Sequence, residues 1–240
     1  MEDDRTSDLE IACRNFVKFK DALDQSLEIE WSAASIERVA RRIAGITTPS
    51  ISDYARPAIH PGDFVRMALP FSDPGYDYVT MQQVDVDPTL VVSGTYHRYD
   101  PIHGQINPNG VMDNSDALVT DNDKGHPELL RLSKIGSLPL YIASEGKNRV
   151  ELFKKFRNSM KAMVTDTDFP KPENLRICRV RPWGIYSLSY QNKTQVLPFW
   201  DVTVPLLRAY GVTEGESYFD FFAIRAWRNL RLRVTGRLMM

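Results

Sequence analysis

Apolar positions along the first part of the chain recur at helical spacing. Leu9, Cys13, Phe16, Phe19 and Leu23 follow a period near 3.6 residues, and Ile36, Val39, Ala40 and Ile43 repeat it. The spacing predicts a helical N-terminal segment over residues 1–60, ending where Pro49, Pro57 and Pro61 punctuate a loop-rich connection. A boundary near Ile59–Gly62 separates it from a second region, residues 61–240.

From Asp63 the pattern shortens. Phe64–Leu69, Val79–Val84 and Leu90–Val92 are brief, β-prone runs. Residues 93–123 are rich in Gly, Pro, Asn and Asp and read as a long surface excursion. Pro127 suits a first helical turn, so a helix is expected over Glu128–Ile135, with Leu129, Leu130 and Leu132 on its apolar side and Gly136 ending it. A buried strand follows at Leu138–Ala143. Val150, Leu152, Phe153, Phe156, Met160 and Met163 then predict another helix, with Lys154, Lys155 and Arg157 exposed. Strands are expected at Arg176–Val180, Ile185–Tyr190 and Gln195–Leu197, and a last helix at Tyr218–Leu230. The expected fold is α/β or α+β: a mixed sheet with flanking helices, preceded by the helical segment.

Composition changes this picture little. With 42% hydrophobic and 25% charged residues over 240 positions, the chain has material for a sizeable core. No apolar run approaches the roughly 20 residues that cross a bilayer, and the acidic start Met1-Glu2-Asp3-Asp4 is not a secretory signal. No membrane insertion and a cytoplasmic location are therefore expected. Cys13 and Cys178 are read as reduced thiols, with a single disulfide as the alternative. The net charge of −1 gives no global attraction to nucleic acid, but beyond Leu175 ten cationic residues face four acidic ones. That basic third suits either a polyanion or a solvated surface.

One stretch concentrates chemistry. In Ser144-Glu145-Gly146-Lys147-Asn148-Arg149 a strand runs through a glycine, which tolerates positive φ, into a helix. The free N–H groups and positive dipole end of that helix favour an anion. Lys147 adds a mobile cation, Arg149 a planar fork for two phosphate oxygens, and Asn148 an amide. Glu145 is placed to orient Arg149, hold a metal ion or position a water. The same spacing also suits a plain turn in which Arg149 pairs with Glu145 or Glu151.

The pattern acidic-Gly-x-polar-Arg, after an apolar strand and opening a helix, resembles the signature turn of the ParB/sulfiredoxin superfamily. The similarity covers about residues 128–163, with Glu128–Ile135 as the preceding helix and Leu138–Ala143 as the strand; Val84-Asp85-Val86-Asp87 is similar to the family's early strand. The resemblance implies a ParB/sulfiredoxin-like core and a nucleoside triphosphate, ATP or CTP with Mg²⁺, held by Gly146, Lys147, Asn148 and Arg149. It also implies catalytic roles for Glu145 and Arg149. Asn148 stands where the family more often has His or Arg. No cysteine lies in the turn, which disfavours sulfiredoxin chemistry. The implied function is nucleotide binding, with or without hydrolysis, in a DNA-related process such as plasmid maintenance or conjugative transfer. Alternatives are a nuclease using the same pocket and a non-catalytic DNA-binding regulator; a homodimer is a possible assembly.

DNA contacts have two further candidates. Val39–Tyr54 resembles a helix-turn-helix, with Gly45 at the turn and Ser50 and Ser52 facing the groove. Arg225, Arg228 and Arg231 form a stripe beside Trp227, either for phosphates or as the solvated edge of a core face. His97, Asp100 and His103 match no metal-binding template, and His60 and His126 have no partner visible in sequence.

Overall fold

The computed structural model describes residues 2–31, 58–73, 81–94, 112–113, 130–180 and 184–217. The Ile36–Tyr54 segment, the 95–111 part of the surface excursion, the His97–Asp100–His103 group and the Tyr218–Leu230 helix all lie outside them. Among the described residues the architecture is α+β, with two mixed sheets and four α-helices. Helix α1 spans Glu2–Trp31 and α2 spans Pro61–Ala68; β1 is Gln82–Val86 and β2 Val91–Val92. Then come β3 (Arg131–Ile135), β4 (Tyr141–Glu145), α3 (Lys147–Phe156) and β5 (Met160–Thr167). The chain continues through β6 (Leu175–Val180), β7 (Ile185–Tyr190), β8 (Lys193–Val196), α4 (Trp200–Tyr210) and β9 (Thr213–Ser217).

The first sheet has the order β1-β5-β3-β4-β2, with β5/β3 and β4/β2 parallel and the other pairs antiparallel. Alternation along β4 sends Ile142 to one face and Ala143 to the other. Both faces are buried. On the Ala143 face, Val150, Leu152 and Phe153 of α3 cover Leu132, Met160, Ala162 and Val164. The Ile142 face belongs to a larger core built with α1, α2, α4 and the second sheet, β8-β7-β6-β9. Its centre is aromatic: Phe64 lies 5.1 Å from Phe16 and 5.5 Å from Phe199, and Phe19 lies 5.5 Å from Phe199, between ring centroids. Helix α1 from residues 1–60 and helix α2 from residues 61–240 therefore share one core.

Helix α1 buries Cys13, Phe16, Val17, Lys20 and Asp24, spaced as one face of a helix. The two charged residues on that face are fully buried. The Lys20 ammonium donates to Asp24 and to the Ser93 carbonyl (3.0 Å), and stands 5.9 Å from the Phe64 ring centre. Asp24 Oδ1 accepts the Ile59 N–H at 3.1 Å. One turn away, Lys154 of α3 donates to Asp21 of α1 (2.9 Å), to Glu151 and to Ser93 Oγ (both 3.1 Å). Ser93 donates in turn to Glu151. Burial works against the charge on Lys154, but the Glu151 and Asp21 carboxylates outweigh it and raise its pKa.

Several expected elements change type. Phe64–Leu69 is helical, because Pro61 starts α2 at its first turn and Phe64, Val65 and Ala68 form one buried face. The helix expected over Glu128–Ile135 is, from Arg131 on, strand β3, hydrogen-bonded on both sides by β4 and β5. The helix expected through Met163 stops at Phe156; Met160 and Met163 lie in β5. Helix α4 and strand β9 arise where neither was expected, with Gly211 at φ 103° closing α4. The strand at Leu138–Ala143 is shifted to Tyr141–Glu145, while β6, β7 and β8 match their expected places to within a few residues. Among the described residues no helix is long and apolar enough to cross a membrane. Both cysteines are free, and burial, with Glu10 adding, pushes the Cys13 thiol up to about 12.

Replacing Lys20 by Ala removes the buried ammonium bonded to the Asp24 carboxylate. The expected cost is about 3–5 kcal/mol in urea unfolding. The double variant Lys20→Met/Asp24→Asn, which removes both charges and keeps an acceptor for the Ile59 N–H, is expected to recover most of that loss.

Candidate functional site

The turn after β4 takes the predicted strand-to-helix form. Ser144 Oγ donates to the Arg131 carbonyl at 2.8 Å and secures the end of the strand. Gly146 then turns left-handed, φ 77° and ψ 23°, and α3 begins at Lys147. The Gly146 carbonyl accepts from the Arg149 N–H (2.9 Å) and the Val150 N–H (3.1 Å). The N–H groups of Lys147 and Asn148 precede the first intrahelical bond, as at every helix start. No acidic side chain occupies the first turn of α3, so its positive end is not offset from within the helix.

The cations of the turn divide between two sides. Arg149 is 8% exposed and lies on the core side with Leu130. A Cβ on Gly146 would collide with Leu130 Cδ2 and stand 3.1 Å from Arg149 Nη2. Glycine is thus required twice, by its positive φ and by the guanidinium and leucine packed against it. Arg149 braces the turn from below. Lys147 goes the other way: half-buried, its Nζ lies 3.1 Å from His60 Nε2. Glu145 is exposed at the end of β4. The Oδ1 of Asn148 is buried without a hydrogen-bond partner among the described residues.

His60 is the residue that sequence reasoning missed. It caps the start of α2, its carbonyl accepting the Phe64 N–H at 3.0 Å. Its neighbour Ile59 is held by Asp24 of α1. The side chains that open α2 and α3 therefore meet, although 87 positions separate them. Nothing local marks such a contact; the X-His-Pro-Gly start of α2 offered the only signal. The electrostatics are those of two basic groups held together. Burial lowers the His60 pKa and Lys147 lowers it further; burial also lowers Lys147, while the Glu145 and Asp63 carboxylates oppose the shift. A neutral His60 accepts from the Lys147 ammonium.

The described geometry thus brings Glu145, Gly146, Lys147 and Asn148 together with His60 and sets Arg149 beneath them. Ser50, Ser52, Arg225, Arg228 and Arg231 lie outside the described residues. No known family's model matches the chain, and neither does a curated protein or a solved structure. The function must be argued from the site.

Two consequences can be measured. Gly146→Ala forces a methyl against Leu130 in a left-handed conformation and is expected to lower stability by about 1–3 kcal/mol in urea titration. The second concerns pH. His60 binds its proton more weakly in the folded state, so above about pH 6.5 it contributes nothing to the pH dependence. As pH falls below that value the unfolded chain is protonated first, and the native state loses stability. Between about pH 7.5 and about pH 5.5, wild type is therefore expected to lose more unfolding free energy than His60→Gln.

Proposed function

We propose that the chain binds a nucleoside triphosphate, ATP or CTP, with its phosphates at the start of α3. The observation that carries this reading is the meeting of two helix starts through the Lys147–His60 contact. A helix start offers N–H donors and a positive dipole end. Here one such end carries no acid in its first turn, and a lysine leads it. Phosphate oxygens would accept from the Lys147 and Asn148 N–H groups and from Lys147 Nζ. The Asn148 amide, whose oxygen is buried without a partner among the described residues, would bond a hydroxyl or amino group of the same ligand. An anion also favours the charge that burial and Lys20 disfavour on Lys147.

Mg²⁺ fits this reading as a companion of the phosphates. Among the described residues no three His, Cys, Asp or Glu side chains come together to hold a metal alone. A metal already chelated by a triphosphate needs only one or two protein carboxylates, and Glu145 stands exposed at the turn. Bound there, Mg²⁺ would offset phosphate charge. Arg149 supports the site by fixing Gly146 rather than by gripping phosphate. Support for the ParB/sulfiredoxin likeness comes from the strand–Gly146–helix turn and from strand β1 at Val84–Val86; ahead of β4 stands strand β3, where the family pattern has a helix. The DNA-reading candidates lie outside the described residues, so the proposal rests on the nucleotide alone.

Calorimetric titration of the full chain with ATP and with CTP, each with Mg²⁺, tests the reading. Lys147→Gln is expected to weaken binding about tenfold or more, the worth of one charge-assisted hydrogen bond. Arg149→Ala is expected to reduce stability more than affinity. If wild type takes up neither nucleotide, or if Lys147→Gln binds as wild type does, the site is not a phosphate site.

A further inference from the structure

We infer that His60 is a second ligand of the bound anion and that binding places a proton on its Nε2, which turns the Lys147–His60 pair from singly to doubly cationic. The inference rests on the phosphate reading above and adds a residue and a proton to it.

His60 is fixed from both sides of the chain: its carbonyl starts the hydrogen bonding of α2, and the preceding N–H is clamped by the buried Asp24. Its ring reaches the first residue of α3, with Nε2 3.1 Å from Lys147 Nζ. A phosphate group seated on the α3 start and touching Lys147 Nζ therefore lies within one hydrogen bond of the place where Nε2 points.

Charge supplies the second step. With no anion present, Nε2 spends its lone pair on the Lys147 ammonium, and two cations at this distance would repel. The charged groups facing His60 come from three helices: Lys147 of α3, Asp63 and Arg66 of α2, and Lys20 of α1. Lys20 already has Asp24 and the Ser93 carbonyl. Of these neighbours only Asp63 favours a charged imidazole, and the helix start that His60 caps disfavours it. A phosphate oxygen reverses the balance. Lys147 turns its proton toward the anion, Nε2 is released as an acceptor, and a proton taken from solvent makes it a donor to a second phosphate oxygen. No bond other than N–H forms, and the solvent loses one proton.

Calorimetry detects the proton directly. The full chain is titrated with ATP·Mg²⁺ at one pH in two buffers of different ionisation heat, for wild type and for His60→Gln, whose amide keeps a polar group of similar reach. The ligand's own ionisation is common to both proteins, so the difference in proton count belongs to the imidazole. Wild type is expected to take up more protons per site than His60→Gln, approaching about one between the free and bound pKa. Its affinity is expected to strengthen as pH falls by up to about tenfold per unit, with a flatter profile in the variant. His60→Asn, a shorter amide, is expected to match His60→Gln in proton count; near-native circular dichroism of either variant shows that the fold survives. If wild type and both variants bind with the same proton count and pH profile, His60 is not a ligand and the phosphate site stands without it. If wild type does not bind at all, the phosphate reading itself fails.

Discussion

The Lys20 ammonium is buried between Asp24, the Ser93 carbonyl and the face of Phe64, and the groups around the Gly146 turn take their places from it. A charge withdrawn from water is tolerated only where its hydrogen bonds are supplied. Each of those bonds belongs to a different part of the chain. Asp24 reaches on to the Ile59 N–H and so fixes the residue before His60. Ser93, at the end of β2, reaches on through its hydroxyl to Glu151 and Lys154 of α3, and Lys154 returns to Asp21 on α1. The ring of contacts closes on the helix where it began. Helix α3 is thereby set along α1, and His60 is set opposite its first residue.

An apolar core alone would not fix this geometry. Leucines and phenylalanines pack in several arrangements at similar cost, whereas a half-satisfied polar network is worse than none. The aromatic group around Phe64 gives the large core its bulk, while the charged ring selects the rotation of α1 and the approach of α3. The turn itself adds a second selection. Gly146 brings backbone against Leu130 and the Arg149 guanidinium, so the buried arginine holds the start of α3 at one angle to β4. Two cations close in sequence thus do different work: Arg149 shapes the turn, and Lys147 is presented by it.

The site was half legible in the sequence, and the fold somewhat less. The Gly146 turn, α1 and strands β6 to β8 follow from local patterns, because each depends on residues within a few positions of one another. The failures have physical reasons. Leu129, Leu130 and Leu132 suit a helix as well as a strand, and only pairing with β4 and β5 decides for β3. In α4 the run Val202-Thr203-Val204-Pro205 argues against a helix locally, yet burial of Val204, Leu206 and Leu207 overrides it. Phe64–Leu69 reads as a strand until Pro61 is taken as a helix start. His60 was beyond reach, since its partner lies 87 residues away and its position depends on a buried carboxylate of α1.

The pairing of Lys147 with His60 also bears on why the site is built as it is. Burial lowers the pKa of both groups, and Lys147 lowers that of His60 further, so each holds its proton less firmly than it would in water. The core ring around Lys20 and Lys154 shows that this chain can match buried cations with carboxylates when structure alone is at stake. At the turn it does not do so fully: Glu145 remains exposed, and α3 carries no acid in its first turn. The positive end of α3 is matched only from outside its first turn, by Glu145 and by Asp63 of α2, and an anion seated there would meet free N–H donors and a lysine together.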